Sequence, residues 1–158
     1  VPLLMKRGKG GHIVNTGSMA SHWANPMLGP YNATKFAVAG YTETLRQELE
    51  PQGINVSLLC PGFAKTDIHK SSLNRPSAGE DKTETLESGV YQMASSMIES
   101  GMEPDLIGEL VAWGIMNKKF YLFSHPEFRP AIDQRHQSIQ SDYQACTEWL
   151  EGHTAIAS

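Results

Sequence analysis

The sequence has few cysteines, no excess of basic residues and no clustering of the basic residues that it has. Cys60 and Cys146 lie far apart without Cys-x-x-Cys or Cys/His spacing, so we expect free thiols, a reducing compartment and no zinc site. Lysine and arginine number 13 against 17 acidic residues, which gives a net charge of −4. This balance argues against nucleic acid and anionic membranes as partners.

Long apolar runs are also absent. No stretch approaches the ~20 residues of a membrane helix, and the first residues lack the charged region of a signal peptide. We therefore expect a cytoplasmic location and no membrane partner. The 158 residues, 40% of them hydrophobic, are enough for a single domain with one core. The sequence begins at Val1, inside a predicted helix, and we interpret it as a fragment.

Short segments rich in β-formers alternate with helical patterns along the chain. The predicted strands are His12–Thr16, Ile54–Cys60 and Phe120–Phe123. The predicted helices cover the tail before Gly8, Gly29–Glu50, Val90–Ile98, a stretch from about Pro104, and a polar stretch from Pro126 onward. Strands separated by helices pair in parallel, so the expected fold class is α/β, a sheet of about three strands with flanking helices. The polar segment 67–89 is predicted to be a flexible substrate lid.

The helix that begins at Gly29 carries an unusual lysine. Spacing puts a stripe of residues on one side, predicted to pack on the sheet: Tyr31, Lys35, Val38, Leu45 and Leu49. Charged groups are rarely buried without a partner. One interpretation is a core tyrosine beside a lysine whose ammonium reaches solvent. The other is a ligand site at the carboxyl edge of the sheet, where the ammonium would favour the phenolate form and let Tyr31 act as general acid or base.

Several other residues have two open interpretations. Ser18 directly follows the first strand, so its hydroxyl could bind a substrate oxygen or belong to a plain turn. His125, after the third strand, is either a substrate or cofactor contact or a turn residue. Met19, Trp23 and Met27 could line the mouth of an apolar pocket or pack in the core.

Three segments together resemble the catalytic half of the classical short-chain dehydrogenase/reductase family. They are Gly11–Ser18 (GHIVNTGS), Tyr31–Lys35 (YNATK) and Pro61–Thr66 (PGFAKT). The Tyr-x-x-x-Lys pair alone is a weak signal, but here a serine stands 13 residues before the tyrosine and a Pro-Gly turn 30 residues after it. The resemblance extends closely from Val1 to about Ile68 and implies a partial Rossmann-type parallel sheet.

The resemblance implies roles for individual residues. In that family the tyrosine exchanges a proton with the substrate, the lysine holds the nicotinamide ribose and assists the tyrosine, and the serine positions the substrate oxygen. The implied catalytic residues are Ser18, Tyr31 and Lys35. The implied binding residues for NAD or NADP are Tyr31, Lys35, Pro61, Gly62, Ala64 and Thr66. The implied reaction is hydride transfer between NAD(P) and a small-molecule secondary alcohol or carbonyl, in a protein that we expect to be a homo-oligomer at full length.

The sequence departs from the family pattern in three ways. Gly17 stands where the family often has a second serine, and Ala64 where a larger aliphatic residue is common. The Gly-rich turn that cradles the cofactor pyrophosphate is missing. Gly8–Gly11 cannot replace it, because this segment precedes a strand and Ile13 stands where the third glycine of the turn would be. Intact catalytic residues favour an oxidoreductase, whereas the missing turn favours a catalytically silent Rossmann-like binding or scaffold domain.

Overall fold

Three parallel strands form the centre of the computed structural model, which describes residues 1–68, 70 and 89–154. The strands are β1 (Gly11–Thr16), β2 (Ile54–Cys60) and β3 (Tyr121–Phe123), in the spatial order β1-β2-β3. The helices are α1 (Pro2–Arg7), α2 (Gly29–Leu49), α3 (Gly89–Glu99), α4 (Pro104–Met116) and α5 (Arg129–Thr154). The predicted α/β class with three parallel strands and flanking helices is confirmed.

The strand register brings one end of every strand to the same edge of the sheet. β1 pairs with β2 from Gly11 opposite Ile54 to Thr16 opposite Leu59, and β2 pairs with β3 up to Cys60 opposite Phe123. Since both pairings are parallel, the carboxyl ends of all three strands lie together. Open α/β sheets bind ligands at this edge.

The sheet is covered on both faces, as parallel sheets usually are. On one face, β2 packs against α2 through four alternate residues that share a core cluster with Leu45 and Leu49: Ile54, Val56, Leu58 and Cys60. On the other face, Leu59 and Leu122 pack against Ile107 of α4. Gly114 of α4 lies directly against Leu122 and leaves no room for a side chain. This two-sided burial explains why β2 carries apolar residues on both faces, although Asn55 and Ser57 interrupt the run.

The packing stripe predicted for α2 is only partly right. Leu45 and Leu49 are buried as predicted, but Tyr31 is 45% exposed, and the other buried positions of the helix are Asn32, Ala39 and Thr42. Tyr31 is 18 residues, or about five turns, before Leu49 and therefore on the same side of the helix. It is exposed because the first turn of α2 lies at the carboxyl edge of the sheet, where the chain enters the helix.

Two further expectations concern membrane helices and the substrate lid. Among the described residues, no helix is both long enough and apolar enough to cross a membrane. The substrate lid predicted over 67–89 lies, apart from positions 67, 68, 70 and 89, outside the residues that the structure describes.

Candidate active site

Ser18 forms the first corner of the site, immediately beyond β1. Its hydroxyl oxygen accepts the backbone N–H of Ala20 (3.1 Å), and the hydroxyl donates to the carbonyl of Pro61 (3.5 Å). Its own backbone N–H donates to the hydroxyl of Ser21 (3.1 Å). Ser18 therefore caps the short 3₁₀ turn Met19–Ser21 and at the same time touches the segment that follows β2.

Gly17 is a glycine for a steric reason. A Cβ there would lie 2.6 Å from the Ser21 hydroxyl oxygen and 3.0 Å from a Leu58 methyl group. Ser21 itself is buried, and sequence reasoning missed it because a serine three residues after Ser18 has no signature of its own. A side chain at position 17 would thus require the Ser21 hydroxyl and the Leu58 methyl group to shift, and here the buried Ser21 occupies the space beside Gly17.

Lys35 is held at the sheet edge by a backbone group. Its Nζ donates to the carbonyl oxygen of Gly17 at 3.0 Å and lies 5.7 Å from the centre of the Tyr31 ring. An ammonium has three donors, so this bond leaves two for other acceptors. The Tyr31 side chain stays accessible to solvent. Tyr31 and Lys35 are therefore brought together beside the residue that precedes Ser18.

A thiol and an imidazole lie under this edge. Burial raises the pKa of Cys60 to about 12, although the Ser18 backbone N–H and the Lys35 charge act in the opposite direction. His22 places Nε2 3.4 Å from the Cys60 sulfur, and burial lowers the pKa of the imidazole. Both groups are therefore uncharged at neutral pH, and the Lys35 ammonium is the charged group that acts on Cys60. Cys60 has no thiolate with which to act as a nucleophile.

The segment Pro61–Thr66, after β2, is tied to the other two strand ends. The Pro61 carbonyl accepts the backbone N–H of Met19 at 2.8 Å in addition to the Ser18 hydroxyl. The Gly62 backbone N–H donates to Nδ1 of His125 at 3.1 Å. The turn is thus fixed from the β1 side by the serine loop and from the β3 side by a histidine.

The far half of the same segment is tied to the loop between α3 and α4. Met102 donates its N–H to the Phe63 carbonyl (2.9 Å) and accepts the Lys65 N–H (3.0 Å), which makes a parallel bridge. The Lys65 ammonium pairs with Glu103 at 2.6 Å. Gly101 is required here because a Cβ would lie 2.5 Å from the Phe63 carbonyl oxygen. None of these long-range partners of the turn was predicted from the sequence.

This bridge orients Ala64. Its bonds run through the residues on either side, so the peptide groups of Ala64 itself point away from Met102. Thr66 is exposed at the end of the segment, with its hydroxyl donating to the Ala64 carbonyl at 3.4 Å. Ser18 is thus bonded to Pro61 at the start of the turn, and Lys35 is bonded to the neighbouring Gly17. Thr66 is the candidate residue at the exposed end of the turn.

The residues with open interpretations occupy separate environments. Met19 is buried in the core, Trp23 is half-buried with its ring centre 5.7 Å from that of Phe128, and Met27 is 92% exposed. The three therefore do not line one pocket mouth. His125 is 7% exposed and contacts the turn after β2, so it is more than a solvated turn residue.

Known proteins similar to this chain are short-chain dehydrogenases/reductases. The family model described as short chain dehydrogenase matches residues 1–76. The CLA biosynthesis dehydrogenase/reductase of Lactiplantibacillus plantarum is 30% identical over 149 residues, covering 90% of this chain and 52% of that protein. A short chain dehydrogenase/reductase from Burkholderia phymatum, solved in complex with NAD, superposes with a TM-score of 0.78 at 30% identity, over 89% of this chain and 52% of that one.

A short-chain dehydrogenase from Sphingobium yanoikuyae, solved in complex with NADPH, superposes with a TM-score of 0.57 at 27% identity, over 89% of this chain and 48% of that one. The fold is that of a Rossmann-type α/β sheet. Together the matches show that this chain is similar in sequence and in fold to short-chain dehydrogenases/reductases. The chain spans about half the length of the curated relatives that it matches first, with 52% of the first of them covered.

Proposed function

We propose that these 158 residues supply the catalytic part of an NAD(P)-dependent oxidoreductase, which transfers hydride between the cofactor and a secondary alcohol or the matching carbonyl. One observation carries the proposal. The Lys35 ammonium bonds to the carbonyl beside Ser18 and stands 5.7 Å from the ring of a solvent-accessible tyrosine, at the carboxyl edge of a parallel sheet.

The proton chemistry follows from these three side chains. Tyr31 presents a solvent-accessible phenol beside this ammonium, so it can give a proton to a carbonyl oxygen and take one from an alcohol. The Ser18 hydroxyl lies at the same edge and would bind that oxygen by turning its proton away from the Pro61 carbonyl, to which it donates at 3.5 Å. Cys60 beneath the site is a neutral thiol at neutral pH.

The residues present fit the nicotinamide end of NAD(P). Two remaining donors of the Lys35 ammonium suit the ribose hydroxyls. The backbone N–H and C=O of Ala64, which point away from Met102, suit the carboxamide of the nicotinamide. Pro61, Gly62 and Thr66 would line the same side of the cofactor site. When bound, the nicotinamide supplies or accepts the hydride. The protein residues orient it and move the proton at the substrate oxygen.

The phosphate end of the cofactor is a separate matter. No Gly-rich phosphate turn occurs in these 158 residues. We infer that this chain corresponds to the catalytic half of the family pattern and that the pyrophosphate is held by residues outside it. The distinction between NAD and NADP belongs to that same part of the pattern.

The proposal is tested by following oxidation of NADH and NADPH by absorbance, with the full-length protein and a panel of ketones and vicinal diketones. Turnover of at least one carbonyl with at least one cofactor is the expected result. Micromolar cofactor binding without turnover of any carbonyl or secondary alcohol would instead favour a silent binding domain. The absence of both binding and turnover would contradict the proposal outright.

Lys35 should affect both cofactor binding and chemistry. We expect Lys35→Met to weaken NAD(P) affinity and to lower turnover, each by about 10- to 100-fold. The reason is that hydrogen bonds to a charged group are lost both in the cofactor complex and in the transition state. Lys6→Met, an exposed lysine of α1, is the matched control and should change neither quantity. Steady-state kinetics and fluorescence titration provide the two measurements. Loss of turnover with unchanged affinity would remove the ribose role from Lys35.

A further inference from the structure

His125 is a buried histidine whose ring faces the proposed cofactor turn. It follows β3 and is 7% exposed. Its Nδ1 accepts the backbone N–H of Gly62 at 3.1 Å and lies 2.6 Å from the hydroxyl oxygen of Ser124. A buried side chain that bonds to the backbone of another strand end, in addition to its own loop, connects two separate parts of the fold.

The Gly62 bond determines the tautomer of the ring. A backbone N–H can only donate, so Nδ1 must carry a lone pair and the proton must be on Nε2. In this tautomer the Ser124 hydroxyl shares the Nδ1 lone pair as a second donor. An imidazolium, with N–H on both nitrogens, would lose the Gly62 bond and could keep the Ser124 contact only by donating to the hydroxyl oxygen. The arrangement therefore requires neutral His125 in the Nε2–H form.

The contact is tight enough to restrict the residue opposite. A Cβ at position 62 would lie 2.7 Å from Cγ and 2.9 Å from Nδ1 of the His125 ring. Only glycine lets the backbone approach the imidazole so closely. Gly62 at the end of β2 is thus needed here for contact with a histidine of this chain, in addition to any contact with a ligand.

We propose that His125 is a positioning residue that sets the Pro61–Thr66 turn for the cofactor, acting through the Gly62 N–H. The cofactor part of this statement rests on the proposed function. Met102 fixes the far half of the turn through two backbone bonds, and Met19 fixes the Pro61 carbonyl. The Gly62 N–H belongs to the same peptide group as the Pro61 carbonyl, so the His125 side chain, from the β3 end of the sheet, holds that group by its N–H while Met19 and Ser18 hold it by its carbonyl.

The test compares His125→Asn with His125→Leu in the full-length protein. The two side chains have similar size, but Asn keeps an acceptor oxygen near the place of Nδ1 and Leu has none. We expect amide hydrogen exchange at Gly62 to be faster by at least 10-fold in the Leu variant and near wild type in the Asn variant. The Leu58 amide, bonded to the Phe120 carbonyl at 2.7 Å, is the internal control for global unfolding.

The cofactor arm uses NADH titration of the same variants. Affinity should fall about 10-fold in His125→Leu and recover in His125→Asn, with a smaller change in turnover at saturating cofactor. Equal exchange in all three proteins, or equal loss in both variants, would overturn the role of the acceptor. Faster exchange in His125→Leu with unchanged NADH affinity would overturn the cofactor role.

Two further measurements keep the test decisive. If His125→Leu fails to fold, nitrogen NMR of the wild-type imidazole still decides, because a proton on Nδ1 would contradict the bond to Gly62. Ser124→Ala removes the other donor and should leave Gly62 protected; loss of protection there would also contradict the proposal. If wild-type protein binds no NADH or NADPH, the proposed function fails, the cofactor role of His125 fails with it, and the exchange measurement separately decides whether His125 holds the turn.

Discussion

Replacement of Tyr31 by phenylalanine is expected to lower turnover of the full-length protein by about 10²- to 10⁴-fold and to leave cofactor affinity nearly unchanged. The substitution removes one hydroxyl group, the proposed proton donor and acceptor, and keeps the ring beside Lys35. The Tyr31 side chain is 45% exposed, so loss of its hydroxyl leaves no buried polar group without a partner. The effect should therefore fall on the chemical step, measured as kcat.

Tyr41→Phe is the matched control for this experiment. Tyr41 lies on the same helix, is 65% exposed and takes no part in the candidate site. Its substitution should leave kcat, KM and the free energy of unfolding unchanged. Wild-type turnover in Tyr31→Phe would show that another group moves the proton and that the general acid/base has been assigned wrongly.

The 158-residue chain by itself is expected to self-associate and to bind NAD or NADP no more tightly than about 1 mM. β1 is an edge strand of the sheet and pairs with β2 along one side only. Ile13 and Val14 point to opposite faces of β1 and both pack on the core, so the edge is apolar as well as open. The sequence also lacks the Gly-rich turn that binds the pyrophosphate of a dinucleotide, and its absence should weaken the affinity for the cofactor.

Size-exclusion chromatography over a range of concentrations, combined with calorimetric titration of NADH, measures both properties. The full-length protein, examined in parallel, should show a defined oligomer and affinity at least ~10³-fold tighter, about 4 kcal/mol. A monodisperse 158-residue monomer that binds NADH at micromolar concentration would contradict this expectation, because its phosphate site would have to lie within Val1–Ser158.

The strands were predictable because their signals are local. β2 carries an apolar residue at every second position from Ile54 to Cys60, and glycines before β1 and a Pro-Gly pair after β2 mark their limits. The catalytic candidates were also local, since Tyr31 and Lys35 are one helical turn apart. Their place at the carboxyl edge then follows from the parallel topology alone.

The connections that shape the site were not predictable, because they join distant segments. Gly62 and His125 are 63 residues apart, and Lys65 and Glu103 are 38 apart. Pairing of such residues depends on how β3 and the loop before α4 pack, and neither has a characteristic sequence pattern. The exposure of Tyr31 was missed for a related reason: periodicity gives the side of a helix but not where the sheet beneath it ends.

The central event proposed for this protein is the transfer of hydride from nicotinamide to a carbonyl carbon at the edge that carries Ser18, Tyr31 and Lys35. The most direct measurement uses NADH or NADPH deuterated at the transferring position, a carbonyl that the full-length protein reduces, and mass spectrometry of the alcohol. One deuterium bound to the carbinol carbon, at a rate that falls with Tyr31→Phe, is the expected result. An alcohol without deuterium, or deuterium transfer unaffected by Tyr31→Phe, would contradict the account.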